Sequence, residues 1–118
     1  MKCLLWFVPI VLFIAATGGD GGPVKGARTL RSRIGAKSKM EFEEKYQAGR
    51  RACVIAMGDH KPPVEISVAV YDDANQLITE DRNVDYVAAI WYPPREATYK
   101  IVVKNTGEEY NEIYLAFK

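Results

Sequence analysis

From residue 40 onward the chain alternates. Met40, Phe42 and Tyr46 share one parity, and Glu41, Glu43 and Lys45 share the other, which is the period-2 signature of a strand with one face covered. Gly49 marks a turn after it. Residues 52–57 are apolar at every position, as in a strand covered on both sides or lying at a sandwich centre. Gly58-Asp59-His60-Lys61-Pro62-Pro63 interrupts that run, because proline cannot donate to a ladder. In Glu65–Tyr71, Ile66, Val68 and Val70 alternate with Glu65, Ser67, Ala69 and Tyr71. Asp72-Asp73-Ala74-Asn75 supplies turn chemistry, and a short strand returns over residues 77–80. A polar loop is expected at residues 81–85, followed by a strand over residues 86–92 that ends at Pro93-Pro94. The last two strands cover residues 98–104, with Tyr99, Ile101 and Val103 inward, and residues 110–117, with Ile113, Leu115 and Phe117 inward. Asn105-Thr106-Gly107 between them reads as a hairpin in which Gly107 takes a positive φ. Asn105, Gly107 and Asn111 are assigned to folding, and Tyr110 to a hydrogen-bonded corner. About seven to eight short strands with no amphipathic helix predict an all-β fold, a small antiparallel β-sandwich. Its core is expected to include Val68, Val70, Ile101, Val103 and Leu115.

Upstream the pattern changes. Lys2 is the only charge before an apolar run over residues 3–16, and Thr17, Gly18 and Gly19 follow. This is the charged, apolar and small-residue order of a secretory signal peptide. A membrane-spanning helix needs about 20 apolar residues, whereas this run is shorter and carries Pro9 near its middle. Residues 1–18 are therefore expected to be removed, leaving a secreted or periplasmic protein with no stable membrane span. The mature chain keeps one cysteine, Cys53, so it forms no intramolecular disulfide and must hold together by packing. Cys53 itself is expected to be a buried small hydrophobe.

Charge divides the chain at the same place. Residues 19–39 hold six basic residues against one acid, with glycines at 19, 21, 22, 26 and 35. That composition predicts a flexible basic linker. Residues 40–118 hold nine basic residues against 14 acids. Linker and domain should attract each other weakly, with salt screening the contact over about 10 Å at 0.1 M. Basic arms bind nucleic acid, anionic lipid or acidic polymers, and export argues against nucleic acid as the partner.

The candidate chemistry is sparse. His60 is the single histidine and lacks the companions of a zinc site or a nucleophile–base pair, so it is expected in a solvated loop. Asp72, Asp73, Asp81 and Asp85, with Asn75 and Asn83, fall in two predicted loops that could meet at one end of the sandwich. Such oxygens suit calcium, although turns demand the same residue types and the spacing is not that of an EF-hand. No metal site is assigned, and calcium is the one cofactor left open. Ser67 and Tyr71 share the polar face of one strand and offer a platform for a sugar ring. The candidate ligand-binding residues are thus Ser67, Tyr71, Asp72, Asp73, Asp81 and Asp85. No catalytic residues are assigned, because no glycine-rich phosphate loop or nucleophile–base set is present.

The order Gly49, Gly58-Asp59, Val70-Tyr71-Asp72, Asn75, Leu77, Asp81, Asp85, Trp91, Pro93, Tyr99, Ile101, Val103, Asn105, Gly107 and Tyr110-Asn111 resembles the bacterial pre-peptidase C-terminal domain, in its planctomycete-type exported form. The resemblance covers residues 41–118. It implies a compact jelly-roll sandwich, usually an accessory module of secreted hydrolases, with some members binding collagen or polysaccharide and some binding calcium. Trp91 matches the family's aromatic before proline and is expected to be structural. This chain has Glu65-Ile66-Ser67 where relatives carry Asp-Leu-Asp, and residues 25–39 contain no acid, so calcium is not carried over. The expected function is that of a non-catalytic binding module meeting a polysaccharide or protein ligand at the cell envelope, monomeric or weakly self-associating. The alternative is a structural or assembly protein that docks through a sheet edge or the basic arm.

Overall fold

The computed structural model describes residues 22–118; the expected leader and its cleavage point lie outside them. Eight strands follow in order: β1 (Arg28–Ile34), β2 (Ser38–Tyr46), β3 (Ala52–Gly58), β4 (Glu65–Tyr71), β5 (Leu77–Val84), β6 (Tyr86–Trp91), β7 (Ala97–Asn105) and β8 (Asn111–Phe117). They form two four-stranded antiparallel sheets, sheet I in the order β1-β8-β3-β6 and sheet II in the order β2-β7-β4-β5. First pairs with last, second with seventh, third with sixth and fourth with fifth, as in one long hairpin rolled into two layers. That is the jelly-roll arrangement. The all-β sandwich expected from the alternation is the fold. Among the described residues no helix is long and apolar enough to cross a membrane.

The core lies where the strand parities put it. Val68, Val70, Ile101, Val103 and Leu115 are all fully buried. At one end Tyr46, Trp91 and Tyr99 form an aromatic cluster, with ring centroids 4.8 Å apart for Tyr46–Trp91 and 5.3 Å for Trp91–Tyr99. Phe42 meets Phe117 edge-on at 5.5 Å. Trp91 is thus structural, and Cys53 is buried with a free thiol.

The chain differs from the sequence reading in three places. Residues 19–39 are not a flexible linker throughout, because Arg28–Ile34 forms β1 and pairs with all of β8. The charges that suggested a tether are accommodated by period-2 alternation: Leu30 and Ile34 turn inward while Arg31 and Arg33 turn outward. The open edge of β8 gives this strand a template that its composition does not reveal. The attraction between the two charge blocks takes the form of ion pairs, Arg28–Glu44 at 2.7 Å, Arg31–Glu112 and Arg33–Glu112 at 3.2 Å, and Lys37–Glu108 at 2.9 Å.

The expected polar loop at residues 81–85 is mostly strand. β5 runs on to Val84, and Asp85 alone, at φ 72°, turns the chain from sheet II to sheet I. Polar residues are tolerated there because β5 is a sheet edge.

Asn105-Thr106-Gly107 is not a hairpin, since β7 and β8 lie in different sheets. Gly107 is not among the positive-φ glycines; a Cβ there would collide with the Val64 side chain. Its role is close approach, not backbone freedom. The Asn105 amide donates to the carbonyls of Ile34 (3.2 Å) and Glu109 (2.7 Å), and its oxygen accepts from Gly107 N–H (2.9 Å). Asn111 likewise accepts from the N–H groups of Asp59 and His60 at 3.1 and 3.0 Å. Both asparagines serve folding, as expected. The Tyr110 ring is clasped between the Arg33 guanidinium, 4.3 Å from its centroid, and the edge of His60.

Candidate binding surface

The six residues singled out from sequence do not converge. Ser67 and Tyr71 share the outer face of sheet II, and Asp72 and Asp73 follow in the turn between β4 and β5. The Asp72 carboxylate is spent on that turn, accepting from Ala74 N–H (2.9 Å) and Gln76 N–H (2.8 Å). Asp73 binds the Arg95 guanidinium at 3.2 Å. Asp81 lies within β5, where its carboxylate accepts from Ala88 N–H at 2.9 Å. Asp85 sits past the far end of β5, a strand of eight residues. At about 3.3 Å per residue, that strand separates it from Asp72 and Asp73 by roughly 25 Å. The expectation that the two acidic loops meet at one end is therefore corrected, for β5 holds them at opposite ends. Among the described residues no three His, Cys, Asp or Glu side chains are grouped to hold a metal ion.

Both open flanks of the sandwich are closed by polar contacts. At the β1/β2 flank the exposed Arg28 reaches over the Phe117 ring, 4.6 Å from its centroid, to the buried Glu44 carboxylate. At the β5/β6 flank Asp81 occupies the edge N–H of Ala88. The Asp81 contact takes one N–H of the β6 edge out of reach of another strand.

The two outer faces differ in kind. Across sheet II the register sets Lys39, Lys104, Ser67 and Arg82 in one row and Glu41, Val102, Ala69 and Glu80 in the next. Charge at both ends of each row suits a solvated face. Ser67 is buried in its row, and the Lys100 ammonium stands over the Tyr71 ring at 5.2 Å. Neither residue offers the open ring face that sugar stacking needs.

Sheet I carries apolar side chains outward. Its register sets Arg31, Tyr114, Met57 and Tyr86 in one row, with Thr29, Ala116, Ile55 and Ala88 in the next. Cys53 and Ile90 pair in a third row, joined by Lys118 through its backbone bonds to Cys53. Met57, Tyr86, Ile90 and Tyr114 are each more than 40% exposed. The rim is basic at Arg31, Arg33 and Lys118, with Glu112 between the two arginines. This surface was missed from sequence, although a signal was present: residues 52–57 and 86–92 are apolar at both parities. In a two-layer sandwich only one parity can face the core. The other must face out.

No protein-family model matches the chain, and no curated protein sequence matches it either. Among solved structures it is similar to the periplasmic inhibitor of g-type lysozyme PliG from Aeromonas hydrophila, with a TM-score of 0.58 and 11% identity over 88% of this chain and 91% of that one. It is also similar to the Yersinia pseudotuberculosis-derived mitogen, with a TM-score of 0.57 and 13% identity over 81% of this chain and 86% of that one. At these identities the likeness is one of fold. The class that fold defines is the small two-sheet β-sandwich.

Proposed function

We propose that this chain is an exported, non-catalytic binding module that engages a protein partner through the outer face of sheet I. The observation that carries this reading is the exposed row Arg31, Tyr114, Met57 and Tyr86 with the apolar row beside it. Tyr, Met and Arg are the side chains enriched where proteins meet, and charged groups are depleted at the centre of such patches. The size of this patch, roughly 400 Å², is that of the largest apolar patch on a typical monomer, which is often a functional one. The fold neighbour from Aeromonas is by its description a periplasmic inhibitor, which supports protein binding without catalysis on this scaffold. The resemblance to the pre-peptidase C-terminal domain supports the same accessory role, and we include that membership in the proposal. Burial pushes the Cys53 thiol up, and His60 Nδ1 is engaged by the Pro62 carbonyl at 2.7 Å. The raised thiol is a poor nucleophile, and the neighbours of the His60 ring, a backbone carbonyl and the Tyr110 ring, supply no nucleophile for it to activate. Removal of residues 1–18 on export completes the reading.

Affinity capture from the exported fraction tests it. The wild-type protein should retain a protein partner that Tyr114→Glu and Met57→Glu, both folded by circular dichroism, lose. Capture unchanged in both variants, or binding confined to a glycan array, would defeat the assignment. Intact mass of the exported protein should show a start near Gly19; a start at Met1 with retention in carbonate-washed membranes would contradict export as a free domain.

A further inference from the structure

The apolar face of sheet I is complementary to itself. Its central row reads Arg31, Tyr114, Met57 and Tyr86 from β1 to β6. A two-fold axis lying in the face and parallel to the strands leaves each row opposite its own copy but reverses the order. Arg31 then faces Tyr86 of the second copy, and Tyr114 faces Met57 of the second copy. Within each copy Arg31 stands over its own Tyr114 ring at 5.0 Å and pairs with Glu112. The first contact therefore adds a second ring to that guanidinium, and the second is a sulfur–aromatic pair at the remaining side of Tyr114, each made twice. The adjoining row Thr29, Ala116, Ile55 and Ala88 reverses to set Ala116 against Ile55 of the second copy, a small residue against a large one. The basic edge at Arg31 and Arg33 lands over the uncharged β6 of the second copy. Resting on the reading of this face as the binding surface, we infer that its occupant in the absence of a target is a second copy of this chain, in an isologous dimer.

Size sets how strong that dimer is. Four strands at about 4.8 Å and three rows at about 6.8 Å cover roughly 400 Å² per copy. Pairing then buries roughly 800 Å² in total, below the range of stable specific interfaces and in the class of weak, transient contacts. The dimer is accordingly weak and concentration-dependent. Sheet-on-sheet packing at the usual angle of about 30° keeps the central pairs in contact and spreads the corners. Self-association and target capture compete for one surface, so the dimer acts as a reserve that a target dissociates.

Sedimentation equilibrium of the purified exported protein, up to about 1 mM, reads the association directly. The expected result is a mass rising from monomer to dimer. Tyr114→Glu and Met57→Glu should weaken it at least 100-fold, and Arg31→Glu about tenfold. Lys104→Glu, on the outer face of sheet II, should leave it unchanged. A monomer at every concentration overturns the inference, as does a dimer broken by Lys104→Glu but not by Tyr114→Glu. The two readings fail separately: if the wild type stays monomeric while Tyr114→Glu still loses the captured partner, the dimer is refuted and the binding surface stands. If Tyr114→Glu abolishes the dimer but not capture, the dimer stands and the target sits elsewhere.

Discussion

Gly107 and Val64 show how a single atom constrains this fold. A Cβ at residue 107 would overlap the Val64 side chain, so Gly107→Ala should destabilise the domain by about 1–3 kcal/mol. Because the conflict is steric, Val64→Ala in the same chain should recover part of that loss, as a double-mutant cycle in urea would reveal; additive losses would disprove the contact. Tyr46 poses the opposite case. Its hydroxyl is buried without a hydrogen-bond partner among the described residues, and desolvation, aided by nearby Glu44, pushes the phenol well above its ordinary range. Below about pH 10 both folded and unfolded chains keep that proton. Above it the unfolded chain loses the proton first, so stability falls as pH rises, by up to about 1.4 kcal/mol per pH unit. Tyr46→Phe should therefore be neutral or stabilising at pH 7 and flatten the alkaline decline. Steeper alkaline loss in the variant would refute this account.

At the scale of elements, the flanks deserve the closest test. Asp81 is a strand residue whose carboxylate occupies the Ala88 N–H, so its work is to join β5 to β6 across the gap between sheets. Asp81→Ala should cost about 1 kcal/mol and selectively speed amide exchange at Ala88, while amides in β4 and β7 keep their protection. Uniform acceleration across both sheets would mean that the carboxylate acts elsewhere. The inward register of β4, β7 and β8 was legible in the sequence, since Val68, Ile101 and Leu115 lie on apolar parities bounded by turn residues. β1 was not. Its inward positions include Arg28 and Ser32, and a strand whose inner row is half polar is recognisable only once Glu44 and the β8 edge are in place.

For the whole molecule, the arrangement of strands separates the acidic turns. With Asp72 and Asp73 at one end of β5 and Asp85 at the other, calcium has no shared cage among them. Added calcium should leave the melting temperature unchanged, whereas a ligand at 100 times its dissociation constant would stabilise the fold by about 2.7 kcal/mol. A rise of several degrees, lost in Asp81→Asn with Asp85→Asn, would overturn that expectation. The candidate site was legible only in part. Ser67 and Tyr71 were correctly placed on one outer face, but the face that carries exposed apolar rows belongs to the other sheet.

The sequence by itself determined the strand class, the core residues of β4, β7 and β8 and the Asp72–Asn75 turn, because side-chain alternation and the turn chemistry of Asp and Asn are local properties carried by neighbouring residues. Tertiary structure decided which strands neighbour one another. Pairing β1 with β8 and β3 with both β8 and β6 brings residues up to 89 positions apart, such as Arg28 and Phe117, into register. Only that long-range pairing lines Arg31, Tyr114, Met57 and Tyr86 into one row. Each of these four side chains is unremarkable on its own strand; the surface they make exists because the sheet aligns them.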